Sequence, residues 1–272
     1  MKRRSSSFDL VIFAIVATTL VFLLAPLVVV VMNSIGRAGI ASFPPRELTF
    51  ESYYAIPSRW LTALVDSVWL GIAAAGLAAA LATSAALALS RTRLRHGGIA
   101  LVLLRTPLQA PSLVVGIAFL QLYVWLSASS GVPLRGSFVG LLLAHTVVSI
   151  PSVLAVVLAR LNAMDSQYEE AAYGLGAGPV RTFFRVTLPL IGPAVLSGVY
   201  FAFLLSLDNV PLSLFLASSS FPLLPIELFT SASFDLTRTL YAVATIVCVL
   251  TTVLTTVAFR RLTATLVTAA QV

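Results

Sequence analysis

The sequence has 272 residues, of which 59% are hydrophobic and only 10% charged, against about 25% charged in an ordinary soluble domain. With a mean hydropathy of +1.01, such a chain cannot cover a water-soluble globule with polar groups, and it is too apolar for disorder. The net charge of +7 does not point to nucleic acid, because the 17 basic residues are scattered at the ends of apolar runs, where they orient helices in a bilayer.

Uncharged stretches run 10–32, 67–90, 106–134, 136–159, 186–207, 209–226 and 239–259. They are continuous rather than alternating, which predicts an all-α polytopic membrane protein and not a β-barrel. Six of them suit spanning helices of about 20 residues. The third is read as beginning near Ile99 and carrying Arg105. The first follows Lys2, Arg3 and Arg4 as a signal peptide would. Its length exceeds an h-region of about 7–15 residues and no A-x-A site follows closely, so it is read as an uncleaved first helix.

Residues 33–62 form an external loop with Pro44, Pro45 and Pro57. In the second span, 14 of the 20 residues from Gly71 to Ser90 are Gly, Ala or Ser. A small-residue face lets helix backbones approach closely, so this helix is expected to be buried, within the chain or against a partner. Residues 91–98 make an inside turn, and 128–136 an outside one. Gly136-x-x-x-Gly140 is a weaker cue of the same close-packing kind. The stretch 209–226 carries Pro211, Pro222, Pro225 and the run Ser218-Ser219-Ser220. That content opposes a continuous helix and predicts a structured external loop or a re-entrant segment. Cys248 sits alone in the last run, so no internal disulfide forms.

Charge supports six spans with both termini inside. That arrangement puts 12 basic residues inside, from Lys2 to Arg261, and 5 outside: Arg37, Arg46, Arg59, Arg135 and Arg238. This is the bias the positive-inside rule expects, and a seventh span would weaken it.

The longest inside loop, 161–188, carries DSQYEEAAYGLGAGPVRTFFRVTLP over 165–189. Ser166-x-x-Glu169 reads as a capping box that starts a helix. Gly174, Gly176 and Gly178 are expected to break it, and Pro179 suits the first turn of a second short helix, to about Val186. Leu188-Pro189 is expected to end that helix and open the fifth span. Small residues at the turn, with Phe183 and Phe184 as knobs, suit docking into a groove on a soluble partner.

Glu170-Ala171-Ala172, three residues, Gly176, nine residues, then Val186-Thr187-Leu188-Pro189 resembles the EAA loop of bacterial ABC importer permeases, with Val in place of the motif's Ile. Leu108 to Ala118, Ala144-His145-Thr146 and Asp208 to Leu216 extend the likeness to spermidine/putrescine-type permeases, especially the smaller permease subunit. The resemblance implies a single permease domain over 1–272, with the type I ABC importer permease fold (MetI-like) and 161–188 as its cytoplasmic coupling loop. It implies a second permease subunit, two copies of an ATPase and an external solute-binding protein, in the bacterial inner membrane. Glu170 would meet the ATPase, Gly176 would form the turn, and Ala171, Ala172 and Ala177 would pack into the ATPase groove. Relatives of this kind also move other small solutes, phosphonates and ferric iron among them.

The chain itself has no Walker A site, since its only lysine is Lys2. Any driven transport would then draw on another subunit or on an ion gradient; the resemblance implies that ATP is hydrolysed by a separate subunit, and no cofactor is expected. Intramembrane polar groups are the candidates for a substrate path. His145 lies near the middle of the fourth span, where it could instead bond a neighbouring helix; with His96 in a cytoplasmic turn, it makes no metal site. Asp208 and Asn209 end the fifth span, where a carboxylate could attract a cation or cap the loop. Gln109, Gln121 and Tyr123 on the third span could line a cavity. Glu227 and Asp235 lie on the external face, within reach of a binding protein. A membrane-embedded enzyme lacks its motifs here: there is no G-x-S-x-G and no H-E-x-x-H. An autonomous secondary transporter would want an internal repeat with broken helices, and no convincing repeat is visible.

Overall fold

A computed structural model describes residues 6–36, 45, 47–91, 97–218, 221–234 and 237–269. Lys2, Arg3, Arg4, Arg37, Arg46, Arg93, Arg95, His96 and Asp235 lie outside the described residues. In chain order the helices are α1 (Ser6–Ser34), α2 (Glu51–Tyr54), α3 (Ser58–Arg91), α4 (Gly97–Gln109), α5 (Ser112–Ser130), α6 (Phe138–Asn162), α7 (Gln167–Gly174), α8 (Pro179–Thr182), α9 (Leu188–Leu207), α10 (Val210–Leu216), α11 (Leu224–Phe234) and α12 (Arg238–Ala269). A π-helical turn, Phe183–Thr187, joins α8 to α9. Among the described residues, six helical segments are long and apolar enough to cross a membrane: Phe8–Ser34, Ser58–Arg91, Ser112–Ser130, Phe138–Asn162, Pro179–Leu207 and Arg238–Ala258.

Three expectations need correction. The third apolar run is not one helix: α4 stops at Gln109, and Pro111, extended at ψ 129°, is the N-cap of α5. Proline pushes the residue before it out of the α region and cannot donate to the preceding turn. Second, α3 begins at Ser58, so the stretch between the first two spans is shorter than 33–62 and itself holds α2. Third, Gly136 and Gly140 are not a helix-packing pair. Gly136 has φ +75° and lies in the turn before α6. A Cβ on Gly140 would stand 2.0 Å from the Leu134 carbonyl oxygen, so this glycine lets the turn fold back on the helix start.

The chain divides into two compact units, Met1–Ser58 with Thr230–Val253, and Arg59–Phe229 with Leu254–Val272. In the first, the backbone N–H of Thr49 donates to the Ile35 carbonyl at 2.7 Å, and the hydroxyls of Ser34 and Tyr53 meet at 2.8 Å. These bonds tie the end of α1 to α2 and to Thr49 just before it. Helix α1 is apolar on every side, and none of its apolar window is buried in this chain.

The second unit holds the core. The small-residue face of α3 is buried within this chain: Ala63, Ser67, Gly71, Ala74, Ala78 and Ala82 recur at helical spacing. The Phe203 ring of α9 lies where a Cβ on Gly71 would sit. Leu70, Tyr123, Leu141, Ala144, Leu212, Leu216 and Leu223 form one hydrophobic cluster drawn from α3, α5, α6, α10 and the segment after it.

The 209–226 stretch is therefore no plain surface loop. Asn209 caps α10, its side-chain oxygen accepting from the Leu212 N–H at 3.1 Å. The Gly136 N–H donates to the Leu216 carbonyl, and the Ser218 hydroxyl to the Gly136 carbonyl. Gly116 of α5 leaves room for Pro211 and Phe215. Ser213 reaches His145, the eighth residue of α6, about 11 Å along that helix from its start at 1.5 Å per residue. The segment dips between spanning helices, and its backbone groups bond to protein there.

Candidate functional site

The loop between α6 and α9 is built from the residues that the sequence singles out, with one exchange of roles. Ser166 holds the N-cap position of α7, but the side-chain bond there comes from Asp165 before it, whose carboxylate accepts from the Gln167 N–H at 3.0 Å. The Ser166 side chain makes no capping bond. At the other end, Gly176 adopts φ +80°. The Ala177 N–H donates to the Ala172 carbonyl at 3.0 Å and the Gly176 N–H to that of Tyr173 at 2.9 Å. This pair of bonds is a Schellman motif, and its C′ position takes the left-handed conformation that glycine adopts without cost. Of the three glycines expected to break the helix, Gly174 is still helical, Gly176 makes the reversal, and Gly178 is the extended N-cap of α8.

Contrary to expectation, Leu188-Pro189 does not separate two helices. From Pro179 to Leu207 the chain is continuously helical, widened to a π turn at Phe183–Thr187. Pro189 cannot donate to the Arg185 carbonyl, and its ring crowds that group; a widened turn accommodates both effects without a break.

The elbow presents an apolar surface. Tyr168, Tyr173, Leu175, Val180 and Phe184 are exposed, Leu175 at 90%. Phe183 is half-buried and packs edge-on against Phe184, with ring centroids 5.0 Å apart. Glu170, Ala171 and Gly176 are exposed beside them, while Ala172 and Ala177 are half-buried. Five large apolar side chains on so short a loop form the kind of patch that marks an interaction site.

Glu169 points away from that surface. Its carboxylate pairs with the Arg91 guanidinium at the end of α3 and keeps only 13% of its side-chain exposure. The Thr187 hydroxyl, fully buried, donates to the same carboxylate oxygen and accepts from Arg91 at 3.1 Å. The capping box is thus overturned, because a cation and a hydroxyl outcompete a backbone N–H for this carboxylate. A hollow of about 400 Å³ lies alongside, lined by residues that include Ser90, Asn162 and Ser166.

The polar residues of the apolar spans fall into separate places. His145 is buried. Its Nδ1 lies 2.9 Å from the Ser206 hydroxyl and its Nε2 3.4 Å from that of Ser213, which ties α6 to α9 and α10. Tyr123 is buried as well, and its hydroxyl donates to the Gly140 carbonyl at 2.7 Å. Gln109, Gln121 and Asp208 are exposed. Asn209 lines a cavity of about 120 Å³ at the α4–α5 break, together with Pro107, Ser112 and Val148. Glu227 is ion-paired with Arg59 at 2.8 Å and mostly covered, so it does not stand free on the surface.

Sequence reasoning missed Arg91 and Thr187, which no local pattern joins to Glu169. It also missed Leu175 and Val180, although an apolar residue on each side of a Gly-rich turn was a usable signal.

Comparison with known proteins gives a consistent result. The family described as "Binding-protein-dependent transport system inner membrane component" matches residues 2–267. The chain is 34% identical over 188 residues to the putrescine transport system permease protein PotI of Escherichia coli (strain K12), covering 69% of this chain and 67% of that protein. It is 32% identical over 235 residues to the spermidine/putrescine transport system permease protein PotC of Haemophilus influenzae, covering 84% and 87%. In fold it is similar to a chain of a crystallised bacterial ABC transporter involved in the import of the acidic polysaccharide alginate. That match has a TM-score of 0.75 at 14% identity and covers 96% of this chain and 99% of that one.

Proposed function

The chain belongs to the family of binding-protein-dependent transport system inner membrane components, and from that premise we propose how this permease subunit of an ABC importer works. It is a multi-pass transport component of the inner membrane. In our reading its N- and C-termini are cytoplasmic, the orientation favoured by the excess of arginines around the 161–188 loop and the other inside segments. Residues 1–272 then act as one permease domain beside a second permease subunit. Two copies of an ATPase stand below, and an external solute-binding protein delivers the cargo.

The observation that carries this reading is the exposed apolar elbow. Burying a large apolar side chain is worth about 1.5–3 kcal/mol. Leu175, Val180, Phe184 and the two tyrosines therefore supply ample drive for docking into a groove on the ATPase. Glu170, Ala171, Ala172, Gly176 and Ala177 shape the surface that enters it, and Phe183 supports Phe184 from behind. Because α8 runs through the π turn into α9 without a break, a push on the elbow travels along a stiff helix into the membrane. ATP-driven closure of the two ATPases would shift the cavity from inward-facing to outward-facing by that route.

The cargo is proposed to be a polyamine such as spermidine or putrescine, on the strength of the two relatives named for those solutes. Gln109, Gln121 and Asp208, exposed on the chain, and Asn209 at its small cavity are the candidate path residues. His145 and Tyr123 would position those helices from within. A Gly176→Asp or Glu170→Arg variant should still insert in the membrane but lose transport-coupled ATP hydrolysis. Unchanged spermidine uptake in both variants, assayed in vesicles carrying the whole importer, would refute the assignment.

A further inference from the structure

Glu169 and Glu170 are adjacent, yet they face different worlds: Glu170 is exposed on the docking elbow, while the Glu169 side chain is largely covered. Three elements converge on Glu169. Arg91 is the last residue of α3, Glu169 lies in α7, and Thr187 closes the π turn that leads into α9. One hydroxyl serves both partners, accepting from the guanidinium at 3.1 Å and donating to the carboxylate. Thr187 has no exposure at all, so its hydroxyl has no water to fall back on. The Thr187 hydroxyl and the Glu169 carboxylate, both largely withdrawn from water, depend on each other and on Arg91, which keeps 35% of its side-chain exposure; the shared hydroxyl couples the three more tightly than a loose surface ion pair.

The covalent chain already joins the elbow to α9. It does not join it to α3, which ends 78 residues before Glu169. We propose that Arg91, Glu169 and Thr187 form a latch that makes α3 follow the docking elbow, so that one push from the ATPase moves two spanning helices together. These are positioning residues, and the inference rests on the docking reading given above. The buried, small-residue face of α3 suits such a role: a helix packed this closely moves as a rigid body and carries a displacement at Arg91 along its length.

The test uses the importer complex purified with its ATPase and placed in nanodiscs. Hydrogen exchange is followed in α7 and at the α3 end, residues 87–91, with and without Mg-ATP. In the wild type both segments should respond to ATP. In Arg91→Ala, Glu169→Gln and Thr187→Val, α7 should stay protected by the docked ATPase. The ATP response of residues 87–91 should fall about tenfold, within the usual range of coupling between sites. The exchanged pair Arg91→Glu with Glu169→Arg should restore much of that response, which a merely structural loss would not allow. The latch is overturned if residues 87–91 respond equally in the single variants, if the exchanged pair is no better than they are, or if the single variants release the ATPase. Absence of α7 protection in the wild type would instead defeat docking itself, and the latch with it; wild-type α7 protection with a silent α3 would defeat the latch alone.

Discussion

Two glycines show how differently one residue type is used here. A Cβ on Gly140 would stand 2.0 Å from a backbone oxygen, which cannot swing aside, whereas one on Gly76 in α3 meets nothing within 4 Å. Gly140→Ala should therefore cost about 3 kcal/mol or more through forced backbone movement. Gly76→Ala should be neutral or stabilising by up to about 1 kcal/mol through helix propensity. Thermal unfolding of the two variants in detergent checks this, and equal melting temperatures would contradict the close approach at Gly140. Gly176 is a third kind: its surroundings are open, and only its positive φ demands glycine. An L-residue in that conformation costs roughly 1–2 kcal/mol.

At the scale of elements, the elbow and the helix behind it separate binding from stability. Leu175 and Phe184 are exposed at 90% and 61%, so they contribute little to the fold of the chain alone. The double variant Leu175→Asp with Phe184→Asp should shift stability by less than about 1 kcal/mol while lowering recovery of the ATPase on co-purification at least about tenfold, as loss of central apolar anchors does. A parallel fall in stability and recovery would mean that these side chains pack within the permease instead. At this scale two prolines act in opposite ways. Pro189, expected to stop a helix, is absorbed by a widened turn, whereas Pro111 marks the break between α4 and α5.

For the molecule as a whole, the exposed apolar surfaces matter most. Helix α1 buries none of its apolar window within the chain, and α5 exposes Leu113, Val114, Val124 and Trp125. Such faces need lipid or another membrane subunit against them, as an exposed apolar patch of this extent does not persist in water. A permease half should therefore be inert by itself. Vesicles holding only this chain should show no spermidine uptake under any ion gradient, and uptake should appear only when the second permease, the ATPase and the binding protein are added together with ATP. Gradient-driven uptake by the chain alone would favour a secondary transporter.

Composition and spacing along the chain were enough to establish an all-α membrane protein with six spans, because hydropathy is a property summed over sequence neighbours. They also located the helical elbow between α6 and α9, because a glycine six residues after Glu170 is a local demand of a helix end. The partner of Glu169 was beyond their reach. From the sequence, Ser166 stood three residues away and Arg91 stood 78 residues away, and the capping box was the economical choice. Only the packing of α3, α7 and the π turn around one carboxylate decided the matter, because a charge withdrawn from water takes the strongest donors that three dimensions bring to it. For 209–226 the sequence left a structured external loop and a re-entrant segment both open: prolines and serines declare that a spanning helix is absent, while the depth of such a segment depends on Gly116, Gly136 and His145, which other parts of the chain supply.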